Sequence, residues 1–385
     1  MTTFHNICLL TTIIVVVVVS IAFAKPFTDD CQQATSSIPG KCVHLTKCRA
    51  LFQLLLRQNL TETEKQFLRD SHCGNRNEQP LVCCSPDAIQ REIPSQQVAA
   101  RQSETLFPVP GSCGIQSTAR IFGGTKATIG EFPWTALIKY RNKFNQSSFQ
   151  CSGALINAKY VVTAAHCING VEIHKFWYPM EVRLGEWDLS TGIDCIVDGI
   201  DFDCADPHLD VKIQQIIVHE SYIPTSPNQY HDIALLRLTE NIPFTEFIRP
   251  ICLPFADHLR KQDFTKLKFW VAGWGRTEKS GKSNVLMKLL VPGFDTQQCS
   301  KQYKGERIFI TSNQLCAGGQ DGKDSCSGDS GAALMTIDTE EGEQPYWYLA
   351  GMVSFGPKPC GMKGWPGVYT KISEYIEWIE AHVKY

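Results

Sequence analysis

The sequence predicts an all-β protein in which a small cysteine-rich module precedes a larger domain. The larger domain is predicted to be either a β-sandwich or a pair of β-barrels. Three observations support this fold class. Six of the 17 cysteines fall within residues 31–84. From about residue 113, short runs of β-branched and aromatic residues alternate with turn signals. At the end of the chain, apolar residues between Ile372 and Val383 recur at helical spacing and predict a closing helix.

Composition and charge exclude several classes of protein. The 385 residues are 43% hydrophobic and 20% charged, which is typical of a globular chain and not of a collagen-like, coiled-coil or disordered one. Lys and Arg number 37 against 39 Asp and Glu, so the net charge is −2. This balance gives no reason to expect binding to nucleic acid or to an anionic membrane. The many cysteines indicate an oxidising compartment, although an odd number cannot all pair with one another.

The first residues predict a secretory signal. Residues 7–24 are almost wholly apolar and end in Ala-Phe-Ala, the small-x-small form of a signal peptidase site. An uncleaved membrane anchor is the alternative, because the run approaches the length of a membrane span and lacks a basic start. Cleavage after Ala24 would remove Cys8 and leave an even number of cysteines. Two glycosylation sequons, at Asn59 and Asn145, are consistent with secretion.

The cysteine-rich module covers residues 31–84, after a mature amino-terminal segment at residues 25–30. It contains two predicted helices, residues 47–56 and 61–69, and Thr61 with Glu64 forms a capping box that opens the second. So short a module has a small core, which disulfides commonly stabilise. Six cysteines allow 15 pairings, and their spacing does not choose among them. Residues 85–112, rich in Pro, Ser and Gln, are predicted to be a linker exposed to proteolysis.

The larger domain carries three short motifs that matter chemically. His166 follows an apolar strand, Asp232 opens another strand, and Ser330 lies in a glycine-rich turn. Each motif alone has an ordinary structural explanation. Together, in the order His, Asp, Ser, they match one of the convergent arrangements in which a base activates a serine nucleophile. The predicted strands are residues 134–140, 160–163, 211–218, 233–238, 269–272, 348–354 and 367–371.

With these motifs, residues 121–385 resemble the trypsin-like serine proteases of the chymotrypsin fold. The matching motifs are residues 120–124, 162–167, 232–236, 271–275, 324–331 and 366–370. The resemblance implies two six-stranded antiparallel β-barrels with a carboxy-terminal helix. The chain departs from the family where Ala332-Ala333 replaces the usual Gly-Pro and where Phe355 replaces the usual Trp. Neither position attacks or transfers a proton, so activity is still expected.

The resemblance also assigns site residues. His166 is the base, Asp232 orients it, Ser330 attacks, and the backbone N–H groups of Gly328 and Ser330 bind the oxyanion. A carboxylate at the bottom of the specificity pocket implies cleavage after Arg or Lys, because it pairs with a substrate cation. The implied pocket residues are Asp324, Ser325, Ser354, Gly356 and Gly367.

Residues 85–120 are expected to include an activation segment. In the family, cleavage at the site that matches Arg120-Ile121 frees an Ile amine, which turns inward and pairs with the acid that matches Asp329. Because the residue before the cut is itself Arg, a similar protease must make it. This implies a proteolytic cascade or autoactivation.

The module with adjacent Cys83 and Cys84 resembles the clip domain of arthropod clip-domain serine proteases. Residues 185–188 and 353–361 further resemble the subgroup of easter, melanization and prophenoloxidase-activating proteases. The clip pairs implied by this resemblance are Cys31–Cys83, Cys42–Cys73 and Cys48–Cys84. In the protease domain they are Cys151–Cys167, Cys299–Cys316, Cys326–Cys360 and Cys195–Cys204, with Cys113–Cys252 as the tether between the two chains.

The loop between Leu184 and Val211 is acidic and contains no Lys or Arg. Clustered oxygen ligands can hold Ca²⁺, and the corresponding loop in relatives binds it. The expected ligands are Glu186 and Asp194, with Asp188 and Thr191 contributing. A solvated acidic loop is the alternative. No cofactor is expected for catalysis.

The leading hypothesis is a secreted zymogen that cleaves after Arg or Lys in an extracellular, haemolymph-type cascade of arthropod immunity. The resemblance implies Toll-ligand processing or prophenoloxidase activation. The implied partners are protein substrates, an upstream activating protease and a serpin inhibitor, with no nucleic acid and no membrane. The alternatives are an inactive homologue that serves as a cascade cofactor and a digestive trypsin.

Overall fold

A computed structural model of the protein describes residues 30–32, 39–44, 48, 51, 54, 61–76, 79–85, 106–116, 126–171, 176–198, 201–275, 281–322, 328–338 and 345–384. The chain divides into two units, Met1–Ile93 and Pro94–Tyr385. Within these described ranges, no helix is long and apolar enough to cross a membrane. The predicted signal at residues 1–24 lies outside them.

The first unit is built on a four-stranded antiparallel sheet with the order β1-β2-β4-β3. Its strands are β1 (Asp30–Gln32), β2 (Pro39–His44), β3 (His72–Arg76) and β4 (Gln79–Cys84). Its core consists of Cys48, Leu51, Val82 and Cys84. Three disulfides cross this small core, namely Cys31–Cys83, Cys42–Cys73 and Cys48–Cys84, the pairs that the clip resemblance implies.

Helix α1 (Glu62–Asp70) begins at the predicted capping box. Thr61 Oγ1 accepts a hydrogen bond from the Glu64 backbone N–H at 3.3 Å, and a Glu64 side-chain oxygen accepts one from the Thr61 N–H at 2.8 Å. These two bonds satisfy backbone donors that the first helical turn would otherwise leave unpaired. Within the other predicted helix, residues 47–56, Leu51 and Leu54 are helical, and most of the remaining residues lie outside the described ranges.

The second unit begins with a closed six-stranded antiparallel barrel. Its strand order is β11-β12-β7-β6-β5-β8. The strands are β5 (Thr135–Asn142), β6 (Ser147–Leu155), β7 (Tyr160–Thr163), β8 (Trp177–Leu184), β11 (Leu209–Val218) and β12 (Ala234–Leu238), with the hairpin β9 (Cys195–Asp198) and β10 (Asp201–Cys204) inserted before β11. Buried aliphatic side chains such as Ile138, Val162 and Leu235 fill its core.

A second six-stranded antiparallel sheet follows, with the order β14-β13-β16-β17-β18-β15. Its strands are β13 (Lys268–Gly273), β14 (Met287–Pro292), β15 (Gln314–Gly318), β16 (Ala333–Asp338), β17 (Tyr346–Phe355) and β18 (Pro366–Lys371). A bridge between Gly293 and Ala317 brings the two edges together, so the sheet is barrel-like. The fold is therefore the predicted pair of six-stranded barrels and not a sandwich.

Few helices accompany the barrels. They are α2 (His166–Asn169), α3 (Asp257–Arg260), α4 (Thr296–Gly305) and α5 (Ile376–His382), with 3-10 turns at Phe264–Lys266 and Ile372–Glu374. Helix α5 is the predicted closing helix, and its first predicted residues form the 3-10 turn. Its apolar face is buried at Ile376 and Ile379.

The segment from Leu106 to Gln116 packs as part of the second unit. The Asn157 side chain donates to the Leu106 carbonyl at 2.8 Å, and the Phe107 ring lies 5.1 Å from that of Phe255. Gly114 pairs with Trp347, whose N–H donates to its carbonyl at 2.9 Å. Gly114 has φ +64°, and a Cβ there would lie 2.2 Å from the Trp347 carbonyl oxygen, so this contact requires glycine.

The segment that follows residue 125 joins the first barrel to the second. Lys126 forms a bridge with Met287, and the Ala127 N–H donates to the Leu286 carbonyl at 2.9 Å. Farther along, Lys288 Nζ in β14 lies 2.6 Å from Glu131 Oε1, just before β5. Both side chains of this ion pair are buried.

Candidate active site

His166 is positioned by the end of strand β7. All four residues of that strand are buried, and His166, three residues after its end, is the first residue of α2. The next residue, Cys167, is disulfide-bonded to Cys151 in β6, and the Tyr140 hydroxyl donates to the Cys167 carbonyl at 2.7 Å. These contacts fix the short helix against two barrel strands. The imidazole is therefore held in place and not left on a mobile loop.

Asp232 lies two residues before the start of β12 and is fully buried. Its Oδ2 is 2.8 Å from His166 Nδ1, and its Oδ1 accepts a hydrogen bond from the His166 backbone N–H, also at 2.8 Å. The Ser354 hydroxyl donates to Oδ2 at 2.5 Å, and the Thr370 hydroxyl donates to the Asp232 carbonyl at 2.8 Å. The carboxylate therefore has partners on both oxygens.

The charge on Asp232 is stabilised despite its burial. Burial alone would raise the pKa of this carboxyl group, but the charge of His166 and the hydrogen bonds from His166 and Ser354 outweigh it and hold the pKa below its usual value. An ionised carboxylate facing Nδ1 favours the tautomer with the proton on Nδ1. The other ring nitrogen, Nε2, can then accept a proton.

Ser330 lies in a turn held by two glycines in the left-handed region. Gly328 has φ +108° and Gly331 has φ +73°. A Cβ on Gly331 would lie 2.4 Å from Thr163 Oγ1, so a larger residue there would push the turn away from β7. The Ser152 N–H in β6 donates to the Ser330 carbonyl at 2.8 Å. The turn that carries Ser330, the expected nucleophile, is thus fixed to the two strands that also position His166.

The departures from the family motif leave this turn closed. The Ala332 N–H donates to the Asp329 carbonyl at 2.8 Å, and the Val353 N–H donates to the Ala332 carbonyl at 2.9 Å. Ala332 and Ala333 are both buried. Phe355 packs edge-on to Tyr303, with ring centroids 5.7 Å apart. The unusual residues are therefore accommodated without opening the turn.

Asp329, the expected partner of the new amino terminus, packs against the end of β13. Its Oδ1 accepts a hydrogen bond from the Gly275 N–H at 2.9 Å. A Cβ on Gly273 would lie 2.3 Å from an Asp329 oxygen, and a Cβ on Gly275 would lie 2.4 Å away. Both glycines of the motif at residues 271–275 are therefore needed to make room for this carboxylate.

Some expected pocket residues are described and others are not. Ser354 lies near the end of β17, Gly356 directly follows that strand, and Gly367 is the second residue of β18. Because the Ser354 hydroxyl donates to Asp232, only the backbone of Ser354 is available to a substrate. Asp324, Ser325, Arg120, Ile121 and the sequon residue Asn59 lie outside the described residues. The other sequon residue, Asn145, is exposed at the tip of the β5–β6 hairpin.

The acidic loop contains two buried carboxylates. Glu186 and Asp194 are each 6% exposed, so this part of the loop is not solvated. Burial, followed by the charge of Asp194, raises the pKa of Glu186 to about 7. Asp194 Oδ2 accepts hydrogen bonds from the Trp187 and Asp188 N–H groups, and its Oδ1 accepts one from the Thr191 hydroxyl. The four expected ligand residues therefore lie together.

Four disulfides of the second unit join described residues. They are Cys113–Cys252, Cys151–Cys167, Cys195–Cys204 and Cys299–Cys316. Cys360 is also disulfide-bonded, and its expected partner Cys326 lies outside the described residues. Over the described part of the chain, Cys151, His166 and Cys167 come close enough to suggest a metal site. Since the two cysteines are bonded to each other, they offer no thiolate to a metal.

A cluster of aromatic rings lies behind Asp232. His231, the preceding residue, has φ +57° and stacks on His219 with ring centroids 4.6 Å apart. His219 also stacks on Trp378 of α5 at 5.1 Å, and the Tyr375 hydroxyl lies 3.2 Å from His231 Nδ1. Sequence spacing gave no signal for this cluster, nor for the hydroxyls that orient Asp232, because their partners are distant in the chain.

Comparison with known proteins agrees with this architecture. Residues 121–379 match the Trypsin family, and residues 31–84 match the regulatory CLIP domain of proteinases. The chain is 45% identical to Serine protease ea of Drosophila melanogaster, over 88% of this chain and 87% of that protein. It is 40% identical to Melanization protease 1 of the same species, over 90% of this chain and 91% of that protein.

A solved structure shows the same similarity. The crystal structure of the Drosophila Grass clip serine protease of the Toll pathway matches with a TM-score of 0.62 and 34% identity. The match covers 92% of this chain and 97% of that one. The chain therefore belongs to the clip-domain, trypsin-like serine proteases and is a serine endopeptidase.

Proposed function

We propose that His166, Asp232 and Ser330 form the catalytic triad of a secreted zymogen that cleaves proteins after Arg or Lys. The observation that carries the proposal is the buried Asp232 carboxylate, which lies 2.8 Å from His166 Nδ1. A buried charge held against an imidazole orients it and stabilises its protonated form. The test is hydrolysis of an arginine chromogenic peptide before and after cleavage at Arg120. An inactive homologue would hydrolyse it in neither state.

The reaction proceeds in two halves. His166 Nε2 takes the Ser330 hydroxyl proton as the oxygen attacks the substrate carbonyl, and the backbone N–H groups of Gly328 and Ser330 stabilise the resulting oxyanion. His166 then donates that proton to the leaving amine, which departs and leaves an acyl-enzyme. A water molecule, deprotonated by His166, hydrolyses this ester in the second half and restores the free hydroxyl of Ser330.

Specificity for a basic residue is assigned to Asp324, with Ser325, Ser354, Gly356 and Gly367 around it. A carboxylate that pairs with a guanidinium or an ammonium inside a pocket favours long cationic side chains. Asp324→Ser should therefore abolish cleavage of arginine peptides. Retained cleavage at the wild-type rate would refute this assignment.

Activation is assigned to cleavage between Arg120 and Ile121, after which the Ile121 amine pairs with Asp329. The placement of Asp329 on the turn that ends in Ser330 supports this, because an ion pair there would order the oxyanion site. Arg120→Gln should leave an uncut precursor without activity. Full activity in the intact chain would exclude this route.

The acidic loop fits a structural calcium ion. Glu186, Asp188, Thr191 and Asp194 offer only oxygen ligands, the type that Ca²⁺ prefers. The two buried carboxylates repel each other, and a divalent cation would remove that cost. The Asp188 carboxylate accepts hydrogen bonds from Ser190, and its carbonyl accepts them from the Thr191 N–H and hydroxyl, so Asp188 would exchange one of these bonds for the ion. Calcium should raise the melting temperature of the wild type, and Asp194→Asn should remove most of the increase.

The biological role is an extracellular cascade of arthropod immunity. The names of the relatives support the two branches, melanization and the Toll pathway. The partners would be a downstream zymogen or pro-cytokine, an upstream activating protease and a serpin. Incubating the activated enzyme with candidate zymogens and sequencing the new amino termini would identify the substrate. Expression in gut instead of haemolymph would favour a digestive trypsin.

A further inference from the structure

Lys282 lies at the edge of the nucleophile turn and reaches across to the first barrel. Its Nζ donates a hydrogen bond to the Phe149 carbonyl in β6 at 3.1 Å. Its Cε lies 3.6 Å from the position that a Cβ on Gly328 would occupy. The side chain therefore spans from the proposed oxyanion site to strand β6.

This contact lies on the leaving-group side of the proposed site. His166 donates its proton to the departing amine, so the part of the substrate after the scissile bond must lie beside His166. Cys167, the next residue, is disulfide-bonded to Cys151, two residues after Phe149 in β6. Lys282 therefore faces the first residues after the cut.

The charge of Lys282 is available to a substrate. The side chain is exposed, and it forms no ion pair with any residue in the ranges that the structure describes. Its hydrogen bond to a neutral carbonyl uses one of three ammonium donors. Two other cations near Phe149 are already paired. The Arg183 guanidinium, 5.0 Å from the ring centroid, is paired with Asp210 and Glu186, and Lys139, opposite Phe149 in β5, is paired with Glu181 and Asp210.

We propose that Lys282 is a specificity-determining residue that favours substrates with an acidic side chain within the first two residues after the scissile bond. The proposal rests on the proposed catalytic roles of His166 and Ser330. Exposed ion pairs are weak, so the expected preference is about two- to fivefold in kcat/KM. It should decrease at high salt, because the pair is open to solvent.

The test compares two peptides that share an Arg before the scissile bond and carry Asp or Asn as the second residue after it. Activated full-length wild type should cleave the Asp peptide about two- to fivefold faster at low salt. Lys282→Gln should reduce that ratio to about one, and Lys282→Arg should preserve it. Lys304→Gln, which removes an exposed charge from α4, is the matched control and should leave the ratio unchanged.

A ratio that is the same in wild type and Lys282→Gln would overturn the proposal. So would an equal decrease in Lys304→Gln, since the effect would then be one of overall charge. An arginine chromogenic peptide has no residue after the scissile bond, so its kcat/KM is the reference against which both peptide rates are expressed in each variant. Hydrolysis of that peptide tests the proposed arginine specificity. The ratio of the Asp to the Asn peptide tests Lys282, whatever residue the enzyme prefers before the scissile bond.

Discussion

Lys288→Met should destabilise the protease domain, because it leaves the Glu131 carboxylate buried without its cation. The two side chains are 7% and 12% exposed, and Nζ lies 2.6 Å from Oε1. In the variant, Glu131 would keep only the hydrogen bonds from the Thr128 N–H at 2.8 Å and the Thr128 hydroxyl at 3.2 Å. Removing one partner of a buried ion pair costs about 3–5 kcal/mol.

The loss should appear as a lower melting temperature. Since 1 kcal/mol corresponds to about 2 °C for a domain of this size, the expected decrease is about 6–10 °C. Calorimetry on the uncut chain, with its disulfides intact, would measure it. The double variant Glu131→Gln with Lys288→Met should recover most of the loss, because no buried charge is left unpaired.

An exposed pair supplies the control. Lys261 lies 3.5 Å from Asp257, and both side chains are more than three-quarters exposed. Lys261→Met should therefore change stability by less than about 1 kcal/mol. If Lys288→Met were no more damaging than Lys261→Met, or if the double variant were as unstable as the single one, the reasoning about the buried pair would be refuted.

Three further predictions follow from individual contacts. Ser354→Ala removes the 2.5 Å hydrogen bond to the Asp232 carboxylate, so kcat/KM for an arginine peptide should fall about tenfold; an unchanged value would contradict the role of that hydroxyl. With Cys113 and Cys252 both changed to Ser, the amino-terminal chain that ends at Arg120 should still co-elute with the activated protease in size exclusion, because residues 106–116 are bound by packing as well; its release would show that the disulfide alone holds it. Burial, followed by a neighbouring histidine, holds the pKa of His219 below its usual 6.5, so the unfolded chain binds the proton first and stability decreases as the pH falls below about 6.5. His219→Gln should show a smaller decrease in melting temperature between pH 7 and pH 5, and an identical decrease would contradict this sign.

The barrel strands that sequence reasoning identified are those with runs of β-branched and aromatic residues. Strand β7 has the predicted bounds, and β12 differs from the prediction by one residue. Strand β6 was not predicted, because its first half is polar and partly exposed and its second half contains small residues. Such a strand exists because β5 and β7 pair with it on either side. Pairing with neighbouring strands in the fold leaves no local pattern in the amino-acid sequence.

The candidate site, like the strands, could be predicted from the sequence only in part. The positions of His166, Asp232 and Ser330 could be read from short motifs, because each needs particular neighbours. The contacts that hold Asp232 could not, since Ser354 and Thr370 lie more than one hundred residues away in the chain. The Glu131–Lys288 pair joins residues 157 positions apart for the same reason. Residue spacing predicts a helix or a turn, but it does not show which distant side chain will pair with a buried polar group.

Residues 126 and 127 are held by Met287 in β14 and by Leu286 just before that strand. This anchoring limits how far a newly cut amino terminus could move. The Ile121 amine would be five residues from Lys126, which is held by its bridge to Met287. A chain of that length reaches at most about 18 Å. One amine confined to a sphere of that radius has an effective concentration of roughly tens of millimolar. On the proposed activation route, the enzyme's own amino terminus would therefore compete easily against free amines in solution, and a single peptide-bond cleavage would act as the local addition of a concentrated ligand.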